Sequence, residues 1–256
     1  MAEFLDLAEA ADELGVHYQT AYRWVREGRL TAERVGRRWR VPRSALADAT
    51  AEPPAVRVRE IRATRHWPRL QASLQTALIE GDELRARAVV GRLHREGETL
   101  RSLVTNLIAP TMAAVGQGWR EGQVTIAQEH RATAIVERLL ASLDTARPGR
   151  PRGRAVVASP SGDQHGLPVA MAAAALREDG WAVDILGRDV PAETLAEHAR
   201  TTGADLAVLT VTNPEVGDAV DHAVDALRAV SLAVLVGRPG ATLDDLVNDA
   251  RTAGPA

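Results

Sequence analysis

The sequence predicts a multidomain chain: a winged helix-turn-helix head, a four-helix bundle and a C-terminal doubly wound α/β domain. Three observations carry this. Two short amphipathic segments joined at Gly15 open the chain, and an arginine-rich hairpin pattern follows them. From about residue 68 to 146 the apolar residues recur with helical periodicity and almost no strand signal. From residue 151 short apolar runs alternate with helical segments, the pattern of a parallel sheet covered on both faces. The domains are therefore expected at 1–49, 68–146 and 151–256, with a Pro-containing linker at 50–67.

In the head, residues 5–14 read as a helix with Leu7, Ala10, Ala11 and Leu14 on one face, and Gly15 ends it. A second helix is expected from His17 to Glu27, with Ala21, Trp24 and Val25 inward, stopped by Gly28. Leu30–Val41 alternates around Gly36-Arg37 as a hairpin wing, and Pro42-Arg43-Ser44 opens a last short helix. Trp24 and Trp39 are expected in the core. Between His17 and Leu46 stand eight arginines and two glutamates, a net +6, so the rest of the chain carries −9 of a total of −3. Basic charge is thus confined to the second helix and the wing, which would face a groove and its phosphates. Tyr18, Gln19 and Arg23, near the helix N-terminus, are the candidate base-edge readers. Arg37, Arg38 and Arg40 are the candidate phosphate or minor-groove contacts. A solvated basic face on a small interaction domain is the other meaning of this charge. The runs Leu7–Val16, Tyr22–Leu30 and Val35–Pro42 resemble the winged helix-turn-helix of excisionase and MerR-type regulators.

Composition narrows the chemistry. At 256 residues, 45% hydrophobic and 25% charged, the chain is ordinary globular protein. It has no cysteine, which excludes disulfides, zinc–thiolate sites and a thiol nucleophile and suits a cytoplasmic setting. It has no lysine, which excludes a Schiff-base lysine and a Walker-type phosphate loop. The first residues show no basic-then-apolar leader, and no apolar run reaches membrane-spanning length. A cytoplasmic protein with no membrane partner is expected.

The middle segment predicts helices near 68–79, 82–96, 98–116 and 125–145, with Pro110 kinking the third or marking a boundary. Thr125 with Gln128 is a capping box, so the fourth helix starts there and Glu129-His130 lie in its first turns. Trp119 lies among Gly116, Gly118 and Gly122, where packing does not demand a tryptophan. A flat ring and an acid–imidazole pair at one end of a bundle could line a pocket for a flat polar ligand. They could equally be a bundle cap and a solvated pair.

In the last domain strands are expected at 154–159, 181–186, 205–211 and 232–236, and helices at 166–179, 191–202, 216–229 and 241–250. This is a Rossmann-like (flavodoxin-like) alternation, although a usual fifth strand is hard to find. Asp163-Gln164-His165 follows the first strand, at the sheet edge where ligands of such folds bind. An acid two residues before a histidine can accept the second imidazole N–H, fix the tautomer and raise the basicity of a metal ligand. On spacing alone the pair could also be an ordinary surface pair. His66, His94, His198 and His222 are expected to be surface or core residues.

Trp119, nine intervening residues, then Glu129-His130, together with Asp163-x-His165, resemble the motifs of CarH-like, MerR-family cobalamin-dependent photoreceptor regulators. The C-terminal domain is similar to the cobalamin-binding domain of corrinoid proteins. The resemblance implies adenosylcobalamin as cofactor, with His165 as the lower axial cobalt ligand and Asp163 behind it. It implies that Trp119, Glu129 and His130 recognise the adenosyl group, and that Gly166, Thr210, Thr212 and Gly237 line the rest of the cobalamin site. It implies double-stranded promoter DNA as a partner, a dimeric or tetrameric homo-oligomer, and a regulator rather than an enzyme.

Three departures stand out. Pro168 replaces the glycine that closes the family's Asp-x-His-x-x-Gly motif and is expected to narrow that loop. Arg238 follows Gly237 where a second glycine is usual. Arg120 stands where some members carry a histidine that takes the upper cobalt position after illumination, and a guanidinium cannot ligate cobalt. A light-independent B12-sensing regulator, a corrinoid methyl carrier and a regulator that has lost its cofactor remain alternatives.

Overall fold

The structure is a computed structural model that describes residues 4–26, 30–36, 38–46, 66–143 and 149–254. They form two compact units, divided between residues 65 and 66. The expected linker lies almost wholly outside the described residues.

The head is built on an antiparallel sheet of order β1-β3-β2, with β1 at Phe4–Asp6, β2 at Glu33–Val35 and β3 at Arg38–Pro42. Helices α1 (Leu7–Glu13) and α2 (Tyr18–Arg26) pack on it. The first helix starts two residues later than its periodicity suggests, because Leu5 pairs with Val41 and so belongs to a strand. Asp6 then caps the helix. Its carboxylate accepts from Ala8 and Glu9 N–H, and the Glu9 carboxylate accepts from Asp6 N–H at 2.8 Å. Leu7, Ala10, Ala11, Ala21, Leu30 and Val41 are buried, with Trp24, Val25 and Trp39 packed against them.

The second unit begins with helices α3 (Trp67–Glu80) and α4 (Glu83–Arg95). The third bundle helix is α5 (Leu100–Leu103), a π turn at Val104–Ile108 and α6 (Ala109–Arg120), and α7 (Ile126–Leu143) is the fourth. Pro110 falls at an expected boundary: the π turn ends at Ile108, and the α-helix resumes at Ala109 with the proline in its first turn. A proline has no N–H for the carbonyl four residues back, here Asn106, and the Gln71 side chain on α3 donates to that carbonyl at 2.8 Å. The helix also runs four residues beyond Gly116, so Trp119 lies on its last turn rather than in a loop. Gly118 is needed there for space, since a Cβ would sit 2.9 Å from Val124 Cγ2. The predicted capping box is present, with Thr125 N–H donating to Gln128 Oε1 at 2.9 Å and Gln128 N–H to Thr125 Oγ1 at 3.2 Å.

Glu83, at the start of α4, accepts from Arg138 on α7 and from Arg87. These bonds hold its carboxyl down at about 2, from an ordinary 4.5. A depressed folded-state value means that this contribution is complete above 4.5 and fades as pH falls toward 2. Bundle stability, followed by circular dichroism in urea, is therefore expected to decline through that window in the unsubstituted chain. In Glu83→Gln the decline should be shallower; an identical slope would show that this carboxylate is not linked to folding.

The α/β part has four parallel strands in the order β5-β4-β6-β7 among the described residues. These are β4 (Arg154–Pro160), β5 (Ala182–Val190), β6 (Leu206–Thr210) and β7 (Ala233–Gly237). Helices α8 (Gly166–Glu178), α9 (Ala192–Thr202), α10 (Gly217–Ala229) and α11 (Leu243–Ala253) alternate with them. Chain order reverses between β4 and β6, a topological switch point. Helix α8 is apolar nearly all round because it has two partners. Val169, Ala172, Ala173 and Leu176 pack on the sheet. Leu167, Met171 and Ala174 enter the bundle core with Leu78, Leu107 and Ile135. At the far end of α8, the Glu178 carboxylate accepts from Leu100 and Arg101 N–H at 2.7 and 3.0 Å, capping α5. Bundle and sheet are thus one packed unit. Among the described residues no helix is long and apolar enough to cross a membrane.

Candidate functional site

The site is organised by Asp163, whose side chain is wholly buried. Strand β4 ends at Pro160, and the chain turns through Gly162 at φ +86°, where Asp163 N–H closes the turn on the Pro160 carbonyl. Asp163 Oδ1 accepts from His165 N–H at 3.1 Å and lies 2.7 Å from His165 Nδ1. Its Oδ2 accepts from Thr212 and Asn213 N–H at 2.6 and 3.1 Å, so one carboxylate ties the first-strand loop to the loop after β6. Burial pushes this carboxyl up, but the N–H groups of Thr212, Asn213 and His165 outweigh it and hold it below the ordinary aspartate value.

The consequence is a defined imidazole. Nδ1 carries the proton toward Asp163, which leaves Nε2 as a lone-pair donor on a half-exposed ring. No cluster of three or more His, Cys, Asp or Glu among the described residues could hold a free metal ion. A single oriented imidazole suits instead an axial position on a metal that a macrocycle already holds. Pro168 does not narrow the loop as expected. It occupies the third position of α8, within the first turn, where a helix has no internal use for the missing N–H.

Thr210 ends β6 with a buried hydroxyl that has no hydrogen-bond partner. Such an orphan costs about 1–3 kcal/mol unless a ligand or water satisfies it. Gly237 ends β7, and its carbonyl accepts from Val211 N–H at 2.8 Å. Arg238, next to it, is exposed. Gly166 opens α8; a Cβ there would meet Glu137 Oε1 at 3.6 Å and Arg188 Cδ at 3.9 Å, so space does not force glycine. An imidazole with a fixed tautomer, an orphan hydroxyl and the sheet's switch point together fit a corrinoid with a polar tail.

Glu137 lies on α7, the helix that carries Glu129 and His130 two turns nearer its start, about 10 Å along the axis. Those two side chains form a pair, with His130 Nδ1 2.7 Å from Glu129 Oε2, and Thr133 Oγ1 donates to Glu129 Oε1 at 3.0 Å. Trp119 is 48% exposed, unusual for a ring at the end of a packed bundle. Arg120 folds back on Gln117 Oε1 through Nε and Nη2 at 3.2 and 2.7 Å.

In the head, Tyr18, Gln19 and Arg23 are exposed along one face of α2, with Tyr22 on the same face, a residue the sequence reading passed over. Arg40 is exposed on β3. The backbone of Arg38 lies in β3, and Arg37 lies outside the described residues. Arg34 stacks over the Trp39 ring at 5.9 Å. Sequence reading also missed Asn213, whose N–H reaches Asp163 from 50 residues away, and Asp189, whose carboxylate accepts from Gly162 N–H and Gln164 Nε2. Nothing in local spacing points to either.

Fold and site define a helix-turn-helix chain with a two-part B12-binding region. Residues 4–52 match the family model for a helix-turn-helix domain, and residues 70–144 and 153–247 each match a B12 binding domain. The chain is similar to the HTH-type transcriptional repressors CarA and CarH of Myxococcus xanthus. It is 29% identical to CarA over 208 residues, 77% of this chain and 65% of that protein. It is 39% identical to CarH over 90 residues, 35% of this chain and 30% of that protein. It therefore spans less than two thirds of either relative. The Methanosarcina barkeri monomethylamine corrinoid protein shares the fold, with a TM-score of 0.58 and 17% identity over 70% of this chain and 95% of that one.

Proposed function

We propose that this protein is a transcriptional regulator whose DNA binding is controlled by cobalamin, and that adenosylcobalamin makes it light-responsive. The observation that carries this is the buried Asp163 fixing the His165 tautomer at the mouth of a parallel sheet, in a chain that also carries a basic helix-turn-helix head. His165 Nε2 would hold the cobalt of the bound cofactor. Thr210, Thr212, Gly166 and Gly237 hold the polar periphery and tail. Trp119, Glu129 and His130 hold the adenosyl group. When bound, adenosylcobalamin supplies a light-absorbing corrin and a cobalt–carbon bond that light breaks.

In darkness the loaded chains associate as a dimer or tetramer, and several heads engage promoter DNA with avidity. Tyr18, Gln19 and Arg23 read base edges, while Arg37, Arg38 and Arg40 neutralise phosphates. For light to release the promoter, the adenosyl group must bind one assembly state better than the other. Similarity to two repressors favours repression. Arg120 favours a second reading, a regulator of the same kind that senses B12 without using light, since its guanidinium is engaged by Gln117 and cannot replace a lost upper ligand.

Size-exclusion chromatography and promoter-fragment binding, with adenosylcobalamin in darkness and after green light, separate these. The light-responsive reading predicts a larger assembly in darkness and a loss of DNA affinity on illumination of about 5–150-fold, the usual range of a coupling between sites. Cofactor-dependent DNA binding that ignores light leaves only the B12 sensor. DNA binding indifferent to the cofactor would sink both.

A further inference from the structure

We infer that Asp189, at the end of β5, is a positioning residue for the His165 imidazole; this rests on the cobalamin reading above. Strands β4 and β5 pair regularly up to Val157–Ile185 and then slip twice. Ala158 pairs with Gly187 and Pro160 with Val190, so β5 carries extra residues at the level of the loop. Gly187 adopts φ +89° and Asp189 φ +57°, and Asp189 is one of two non-glycine residues with positive φ among those described. Bulges beside functional sites re-aim a side chain, and a left-handed non-glycine persists only where its surroundings fix it.

What this conformation achieves is specific. The two oxygens of Asp189 accept from Gly162 N–H at 2.8 Å and from Gln164 Nε2 at 2.7 Å, the residues on either side of Asp163. Its own N–H donates to the Asp163 carbonyl at 3.1 Å. That carbonyl also accepts from the buried Ser159 hydroxyl at 2.8 Å. Asp163 therefore fixes the ring, and Asp189 fixes the backbone from which ring and acid both project. A turn requirement alone would be met by glycine. It is the carboxylate, with one oxygen for each side of the motif, that the loop uses.

Asp189→Gly accepts φ +57° without strain and removes only the carboxylate; Asp189→Asn keeps one acceptor and the left-handed preference. The unsubstituted chain and both variants are titrated with hydroxocobalamin, following the visible spectrum for imidazole ligation. Hydrogen exchange at the Gly162 amide is read in the cofactor-free proteins.

In Asp189→Gly, exchange at Gly162 should rise at least about 10-fold. Cobalamin affinity should fall about 10–100-fold, the range seen when groups behind a metal ligand are removed, with part of the bound cofactor losing its imidazole signature. Asp189→Asn should recover most of both, and carries the test if Asp189→Gly does not fold. Equal affinity and full imidazole ligation in Asp189→Gly would overturn the proposal alone. So would lower thermal stability with ligation unchanged, the mark of a merely structural role. If the unsubstituted chain retains no cobalamin, the functional reading falls and the proposal with it.

Discussion

His165→Ala is expected to abolish cobalamin-dependent DNA binding while leaving the fold intact. The ring is half exposed at the N-cap position of α8, caps no helix N–H there, and Asp163 is its polar partner. Truncating it leaves Asp163 with the N–H groups of His165, Thr212 and Asn213, so the buried carboxylate stays satisfied. The change in unfolding free energy should therefore stay within about 0.5 kcal/mol, the range of ordinary surface substitutions. Cofactor retention is another matter, because the substitution removes the nitrogen proposed to ligate cobalt. A loss of more than about 100-fold is expected, beyond what removal of an outer partner costs. Equilibrium dialysis against hydroxocobalamin, beside a urea titration, reads both. Undiminished retention would mean that His165 is not the ligand.

Asp163→Ala should do more damage, of a different kind. It removes the acceptor of three backbone N–H groups as well as the imidazole's partner, and it does so in a wholly buried position. Orphaned buried donors cost about 1–3 kcal/mol each, so a loss near 3 kcal/mol is expected even if one finds water. Cobalamin affinity should also fall about 10–100-fold, because nothing then holds Nδ1 protonated and Nε2 free. Asp163→Asn should lie between, since its amide oxygen can still serve one side while its NH2 faces the donors of the other. The pair of substitutions thus makes a contrast: affinity without stability for His165, affinity with stability for Asp163. An Asp163→Ala chain with an unchanged urea midpoint would show that this carboxylate does not join the two loops.

Much of this was legible in the sequence for simple reasons. Periodicity exposed the bundle and the alternation of strands and helices because each element buries a face with its own repeat. Asp-x-His was legible because acid and imidazole are neighbours in the chain. What could not be read were effects that act across it. The strand expected at 181–186 continues, because pairing resumes beyond two bulges and reaches Val190. Gly116 and Gly118 look like helix breakers, whereas Gly118 makes room for Val124 in a helix that continues to Arg120. Pro110 marks a boundary that was legible, but the Gln71 side chain that compensates for its missing N–H lies on another helix and was not. Pro168 falls inside the helix expected at 166–179, and its effect was misjudged because the first helical turn tolerates a missing N–H. The bonds from Thr212 and Asn213 to Asp163 have no local trace at all, since only the order of strands brings those loops together.

The most direct measurement is the visible absorption spectrum of the full chain loaded with adenosylcobalamin and washed free of excess, recorded in darkness and again after green light. Cobalamin control through His165 predicts a retained cofactor with imidazole in place of its own base, absent from His165→Ala, and for a light-responsive regulator a spectrum that changes irreversibly on illumination. A washed protein with no corrin absorption would contradict cobalamin control and leave only the DNA-binding head.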